Sequence, residues 1–189
     1  MKLRLAAFSD AKAIAALHAA SWQITYKNAL RADYLESTVL TDRETVWTER
    51  LTSPKPNQCV LVAEDESGVI GFTCAYLAAH DEWGSYLDNL HVRPSSQGQS
   101  IGKALLVNMA RWCNVSAPKR GLYLSVNQDN HRAQQFYVGL GARNAGSWLW
   151  NAPDGSAVPA YWFLWDAVET LCSRQSIYSL DWAALKRTL

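Results

Sequence analysis

The chain has 189 residues, with 18 Lys and Arg against 17 Asp and Glu and a formal net charge of +1, so it has length for one domain with a real core and none for a second. Its basic residues are scattered, which argues against a nucleic-acid surface or a membrane-attracting patch. Cys59, Cys74, Cys113 and Cys172 lie far apart, without a C-x-x-C pair or a cysteine–histidine cluster; reduced, mostly buried thiols are expected, and neither a metal site nor a disulfide framework.

Met1 to Leu5 passes directly into a polar helix start rather than a continuous apolar segment, and no apolar run approaches membrane-spanning length, so a cytoplasmic location is expected. Lys2 to Phe8 alternates as a first strand, and Ser9-Asp10 can cap a helix whose apolar face includes Ile14, Leu17 and Ile24. A second helix is predicted over Ala32 to Leu51, stopped by Pro54 and Pro56. Cys59 to Ala63 and Val69 to Leu77 read as strands joined by the turn Asp65-Glu66-Ser67-Gly68, a hairpin. Tyr86 to Val92 is a central-strand candidate ended by Arg93-Pro94.

Ile101, Leu105, Met109 and Trp112 recur at helical spacing up to Pro118. Gly121 to Val126 reads as a strand, and Asp129 can cap a helix with Ala133, Phe136, Tyr137 and Leu140 on one face, ended by Gly141. Ala142 to Trp150 and Val158 to Trp165 form a last hairpin around Pro153-Asp154-Gly155, and the segment from Asp166 onward reads as helical. The order β-α-α-β-β-β-α-β-α-β-β mixes hairpins with crossovers. It predicts an α/β (α+β) fold built on a mixed, mostly antiparallel sheet flanked by helices.

Two stretches carry chemistry. Gln97-Gly98-Gln99-Ser100-Ile101-Gly102-Lys103 is a small-residue loop opening a helix. There the first backbone N–H groups lack intrahelical partners and the helix dipole favours a phosphate. It is not a Walker loop, because Ala104 follows Lys103 and the glycine spacing differs. The second stretch, Leu124 to Tyr137, reads as a strand, a polar turn and a helix bearing a tyrosine. Together they point to an acyl-coenzyme A enzyme.

On these residues the chain resembles the GNAT superfamily of N-acetyltransferases over roughly Lys2 to Trp165. The family's phosphate-loop pattern falls on Gln97, Ser100 and Gly102, with serine where glycine is usual; the N–H of Ser100 can still meet a phosphate if its dihedrals are helical. The family's second segment falls on Asn130, Ala133, Phe136 and Tyr137. The resemblance implies acetyl-coenzyme A as cofactor, held by Gln97 to Lys103, by Asn130, Ala133 and Phe136, and by the backbone of Leu90, His91 and Val92 on a splayed central strand. It implies Tyr137 as the acid for the departing thiolate. Leu17-His18-Ala19-Ala20-Ser21-Trp22, Tyr26, Tyr34-Leu35 and Trp47 are similar to a group of poorly assigned small bacterial members whose N-terminal helices line the acceptor pocket. A single N-acetyltransferase domain over residues 1–189 follows, with 166–189 as a C-terminal extension.

Acyl transfer to an amine needs a base as well as an acid, and no metal. Strand alternation puts Tyr86, Asp88, Leu90 and Val92 on one face, with His91 opposite, so Asp88 is the expected base. His80, His91 and His131 are weaker candidates, and Lys103, Arg93, Arg132 and Lys119 are candidate phosphate partners. Ser125 stands where members that acetylate ribosomal-protein N-termini carry glutamate, so the expected acceptor is a primary amine of a small molecule. A peptide or protein N-terminus and a non-catalytic acyl-coenzyme A-binding domain are the alternatives. Trp148, Trp150, Trp162 and Trp165 are expected in the core, on a homodimer surface or along the acceptor pocket.

Overall fold

The computed structural model describes residues 1–176 and 178–182. Seven strands form one sheet: β1 (Lys2–Leu5), β2 (Gln58–Asp65), β3 (Gly68–His80), β4 (Gly84–Val92), β5 (Leu122–Asn127), β6 (Arg143–Asn151) and β7 (Ala157–Trp165), in spatial order β1-β2-β3-β4-β5-β7-β6. Only β4 and β5 run parallel; all other neighbours are antiparallel. The mixed, mostly antiparallel sheet expected from the element order is therefore the one formed.

Helices α1 (Ala11–Thr25) and α2 (Val39–Thr52) cover one face, and α3 (Ile101–Ser116) and α4 (His131–Gly139) cover the other. The first face buries Ile14, Trp47, Val62 and Phe72, and the second Leu105, Leu106, Met109, Leu122 and Leu124. Residues one apart on β2 serve opposite cores, as a pleated strand covered on both faces requires.

Three local expectations are corrected and one is refined. Ile24 is 60% exposed on the last turn of α1, although Leu17, seven residues earlier on the same side of the helix, is buried. The second helix runs without a break from residue 32 to Thr52, as expected, with a π-helical segment at Tyr34–Thr38 ahead of α2. Asn130, not Asp129, caps α4, its Oδ1 accepting the Ala133 N–H at 3.1 Å. Among the described residues the C-terminal segment is helical over α5 (Glu169–Cys172) and again at Trp182, and not between them. Beyond α5, the buried side chain of Asn108 on α3 accepts the Leu180 N–H at 2.9 Å and donates to the Tyr178 carbonyl at 2.8 Å, drawing backbone bonds to α3 that a helix would keep to itself. The expectation for residues 183–189 lies outside the described residues.

Cys59, Cys74 and Cys113 are buried free thiols and Cys172 is a partly buried one. Among the described residues no group of acidic, histidine and cysteine side chains is placed to hold a metal ion, and no helix is long and apolar enough to cross a membrane.

Candidate active site

The site follows from the single parallel pair. β4 and β5 are paired only at Ser85–Leu122, Tyr86–Tyr123 and Leu87–Leu124. Past Leu87 the strands part, and a cavity of about 1410 Å³ opens between them, lined from α1, α2, α3, α4 and the β6–β7 hairpin. Polar backbone of Asp88–Val92 is left facing the gap, which is what a polar, amide-bearing ligand arm needs.

A β-bulge breaks the expected alternation. The β3 register passes from Cys74–Asn89 to Ala75–Leu87, leaving Asp88 as the extra residue. Leu90 and Val92 consequently pack with the α3 side, together with Leu87. Asp88, Asn89 and His91 turn toward α1 and α2: Arg50 Nη1 lies 2.6 Å from Asp88 Oδ2 and 2.9 Å from Asn89 Oδ1, and His91 stacks on Phe72. His91, expected opposite Asp88, thus shares its side. A one-residue insertion inverts every later side chain.

At the other end of the cavity lies the N-terminus of α3. Its first intrahelical bond is from the Ala104 N–H to the Ser100 carbonyl at 2.9 Å, and no side chain caps it. The N–H groups of Ile101, Gly102 and Lys103 therefore remain available for an anion. Gly98 has φ 81°, and Ser100 is left-handed at φ 61° and ψ 12°, so the helical dihedrals on which a phosphate contact by its own N–H depended are not met. Two left-handed residues around Gln99 turn the chain sharply enough to start the helix at the cavity wall, which is why glycine suits position 100. Left-handed backbone costs a non-glycine residue about 1–2 kcal/mol. Ser100→Gly is expected to raise stability by about 0.5 kcal/mol despite a more flexible unfolded chain, and Ser100→Val to lower it by about 1–2 kcal/mol, as thermal denaturation would show.

Gln97 Nε2 donates to the Val92 carbonyl at 3.1 Å while its Oε1 accepts from Arg132 at 2.5 Å, so this pair ties the loop to α4. Lys103 and Arg132 line the cavity, whereas Arg93 is committed to Ser67 Oγ and the Val69 carbonyl, and Lys119 lies outside the lining. Of the residues expected to hold cofactor, Leu90, His91, Val92, Gln97, Gly98, Ser100, Ile101, Gly102, Lys103, Asn130, Ala133 and Phe136 line the cavity, and Gln99 does not.

Tyr137 is 8% exposed between Phe136, Phe163 and Trp165, and its ring reaches the cavity wall. Its hydroxyl has no hydrogen-bond partner among the described residues. Burial, with a smaller contribution from Tyr26, holds its pKa well above the ordinary tyrosine value, so the proton stays on. Asn127, which the sequence did not single out, is 5% exposed and lines the cavity with Nδ2 unpartnered among the described residues, its Oδ1 taken by the Asp129 N–H. This orphaned donor fits a carbonyl on a bound amide-bearing arm. Asn130, by contrast, spends its Oδ1 on the α4 cap.

Behind His91 sits His18, 1% exposed, its ring centroid 4.6 Å from that of His91. Trp47 Nε1 can only donate, and it meets His18 Nδ1 at 2.9 Å; neutral His18 therefore carries its proton on Nε2. His91 Nδ1 is 2.8 Å from Ser21 Oγ. Burial first, then Arg43, lowers the His91 pKa from 6.5 to about 4, and burial, His91, Arg43 and Arg50 lower that of His18. Below pH 6.5 the unfolded chain thus binds more protons than the folded one. Stability is expected to be full above pH 6.5 and to fall between 6.5 and about 4, by roughly 3 kcal/mol for His91 alone. The carboxylates Asp10 and Glu64, whose pKa values Arg4 lowers, titrate beneath most of that window. Urea unfolding of wild type and His91→Gln at pH 7 and pH 5 checks this, the variant giving the shallower slope. His80 instead accepts the Glu82 and Trp83 N–H groups at 3.2 Å, and neither it nor His131 lines the cavity.

A family model described as the acetyltransferase (GNAT) family matches residues 17–142. The chain belongs to this family; its activity class is acyl transfer and its cofactor acetyl-coenzyme A. An uncharacterized N-acetyltransferase of Mycobacterium tuberculosis is 27% identical over 144 residues, covering 74% of this chain and 86% of the relative. Among solved structures, the PaiA N-acetyltransferase of Thermoplasma acidophilum in complex with coenzyme A superposes with a TM-score of 0.62 at 20% identity, covering 85% of this chain and 98% of that one. A variant of the spermidine N-acetyltransferase SpeG from Vibrio cholerae gives 0.62 at 15% identity, covering 93% and 100%.

Proposed function

We propose that this protein transfers the acetyl group of acetyl-coenzyme A to a primary amine of a small molecule by direct attack. The observation that carries the reading is the continuity of one cavity, from the uncapped start of α3, past Tyr137, to a chamber walled by α1 and the last hairpin. Bound acetyl-coenzyme A supplies the thioester and the thiolate leaving group. The N–H groups of residues 101–103, with Lys103 and Arg132, hold the diphosphate, and Asn127 and the unpaired edge of β4 hold the amide arm.

Tyr137 gives its proton to the departing sulfur, a role suited to a hydroxyl whose burial keeps it protonated and which no other side chain engages. Asp88, steadied by Arg50, receives the proton of the amine. A peptide acceptor has less support, since Ser125 Oγ accepts from Trp148 Nε1 at 2.9 Å and Trp22, Tyr26 and Trp150 close the chamber. Thiol release from acetyl-coenzyme A across polyamines, amino acids, aminoglycosides, aryl amines and peptides tests the reading, alongside the melting shift with coenzyme A. Turnover confined to peptides, or a melting shift with no turnover, would overturn it.

A further inference from the structure

The acceptor half of the cavity contains a buried cation that acetyl transfer itself does not require. Four basic side chains line the cavity among the described residues; Lys27 and Arg132 are exposed, Lys103 is partly buried, and Arg43 on α2 is only 8% exposed. A buried guanidinium is costly unless its donors are used, and it has five. Arg43 is ion-paired through Nη2 with Asp42 Oδ2 at 2.8 Å, an oxygen that also accepts from the Tyr34 hydroxyl. Its carbon centre lies 4.4 Å over the ring of Trp22, and its buried Nε has no partner among the described residues. Asp42 is the one anion its neighbours offer among the described residues: His18 and His91 are neutral, and Asp88 is held by Arg50, which stands outside the lining.

Around this cation the wall is flat and apolar. Trp22, Tyr26 and Trp150 form a mutual triangle with ring centroids 5.4–5.5 Å apart. Arg43 lies over the Trp22 corner of this triangle, and Asp88 lines the same cavity as all three rings. The chamber thus presents a guanidinium only partly used by Asp42, an aromatic wall and a carboxylate in turn.

Resting on the acetyl-transfer reading, we infer that the acceptor is an amine bearing its own carboxylate, an α-amino acid or close analogue with an apolar or aromatic side chain. Arg43 takes the carboxylate, whose planar pair of oxygens matches the guanidinium fork. The Trp22–Tyr26–Trp150 wall takes the side chain, and the amine lies toward Asp88. A polyamine is disfavoured, because its second ammonium would face Arg43 in a low-dielectric chamber.

The test is a binding titration of the coenzyme A-saturated protein, read by tryptophan fluorescence, with matched pairs: L-phenylalanine against phenethylamine and its amide, L-leucine against isoamylamine, and spermidine. The carboxylated member of each pair is expected to bind roughly 10- to 100-fold tighter, the worth of a hydrogen bond to a charged group. Arg43→Lys should erase most of that preference while coenzyme A still raises the melting temperature, which shows the variant to be folded; should it not fold, the wild-type pairs decide alone. Equal or tighter binding of the decarboxylated amines, tighter binding of spermidine, or no binding by any member would overturn the inference. The absence of a coenzyme A-induced melting shift in the wild type would instead sink the acetyl-transfer reading beneath it.

Discussion

Tyr137→Phe is expected to lower kcat by about 10²–10⁴-fold, equivalent to roughly 3–5 kcal/mol of transition-state stabilisation, while changing the affinity for coenzyme A little. The substitution removes one hydroxyl that makes no hydrogen bond among the described residues, and the ring keeps its packing on Phe163 and Trp165. Folding should therefore survive. Because burial raises the tyrosine pKa, the wild-type enzyme should hold its acid through neutral and mildly alkaline pH, and no alkaline limb from Tyr137 should appear below pH 10. Steady-state kinetics with thermal shift by coenzyme A separates the roles. An equal loss of cofactor binding and turnover would make Tyr137 a packing residue; a kcat within threefold of wild type would remove it from the chemistry.

Gly84→Ala is expected to cost about 3 kcal/mol or more and to lower the melting temperature by roughly 6–12 °C. Gly84 begins β4 with φ 84°, and a Cβ there would lie 2.3 Å from the Gly121 carbonyl oxygen and 2.8 Å from its nitrogen. That carbonyl accepts the Ser85 N–H at 3.0 Å, the bond that brings β4 and β5 together at the closed end of the gap. The side chain would pry apart the strands whose later divergence forms the site. Gly98→Ala is the control: its φ of 81° is equally unsuited to alanine, yet nothing lies within 4 Å, so only the backbone strain of about 1–2 kcal/mol applies. If the two substitutions cost the same in thermal denaturation, the close approach of Gly84 and Gly121 has no special weight.

Much of the site was legible before any coordinates. The loop from Gln97 to Lys103 and the segment from Asn130 to Tyr137 line one cavity, as their pairing in sequence implied. What was misread has local causes. Asp129 and Asn130 are both good helix caps, and sequence does not say which backbone N–H each will reach. A left-handed serine at position 100 cannot be told from a helical one by composition.

The larger share was decided by tertiary structure. Periodicity, turn residues and caps are short-range signals; they determined the strands, the helices and their order, because each depends on neighbours within a few residues. The bulge at Asp88 depends on the register against Cys74 and Ala75 on the neighbouring strand, and it alone turned His91 toward Ser21 and sent Leu90 and Val92 to the other face. Likewise, Asn127 and Arg43 look ordinary in a strand end and an amphipathic helix. Only the packing of α2 on α1 and the parting of β4 from β5 leave their donors buried at a cavity wall. The sequence by itself therefore determined the family and picked out residues that line one end of the cavity. The other end is made by contacts between elements far apart in the chain, where burial and pairing, not residue type, decide what a side chain does.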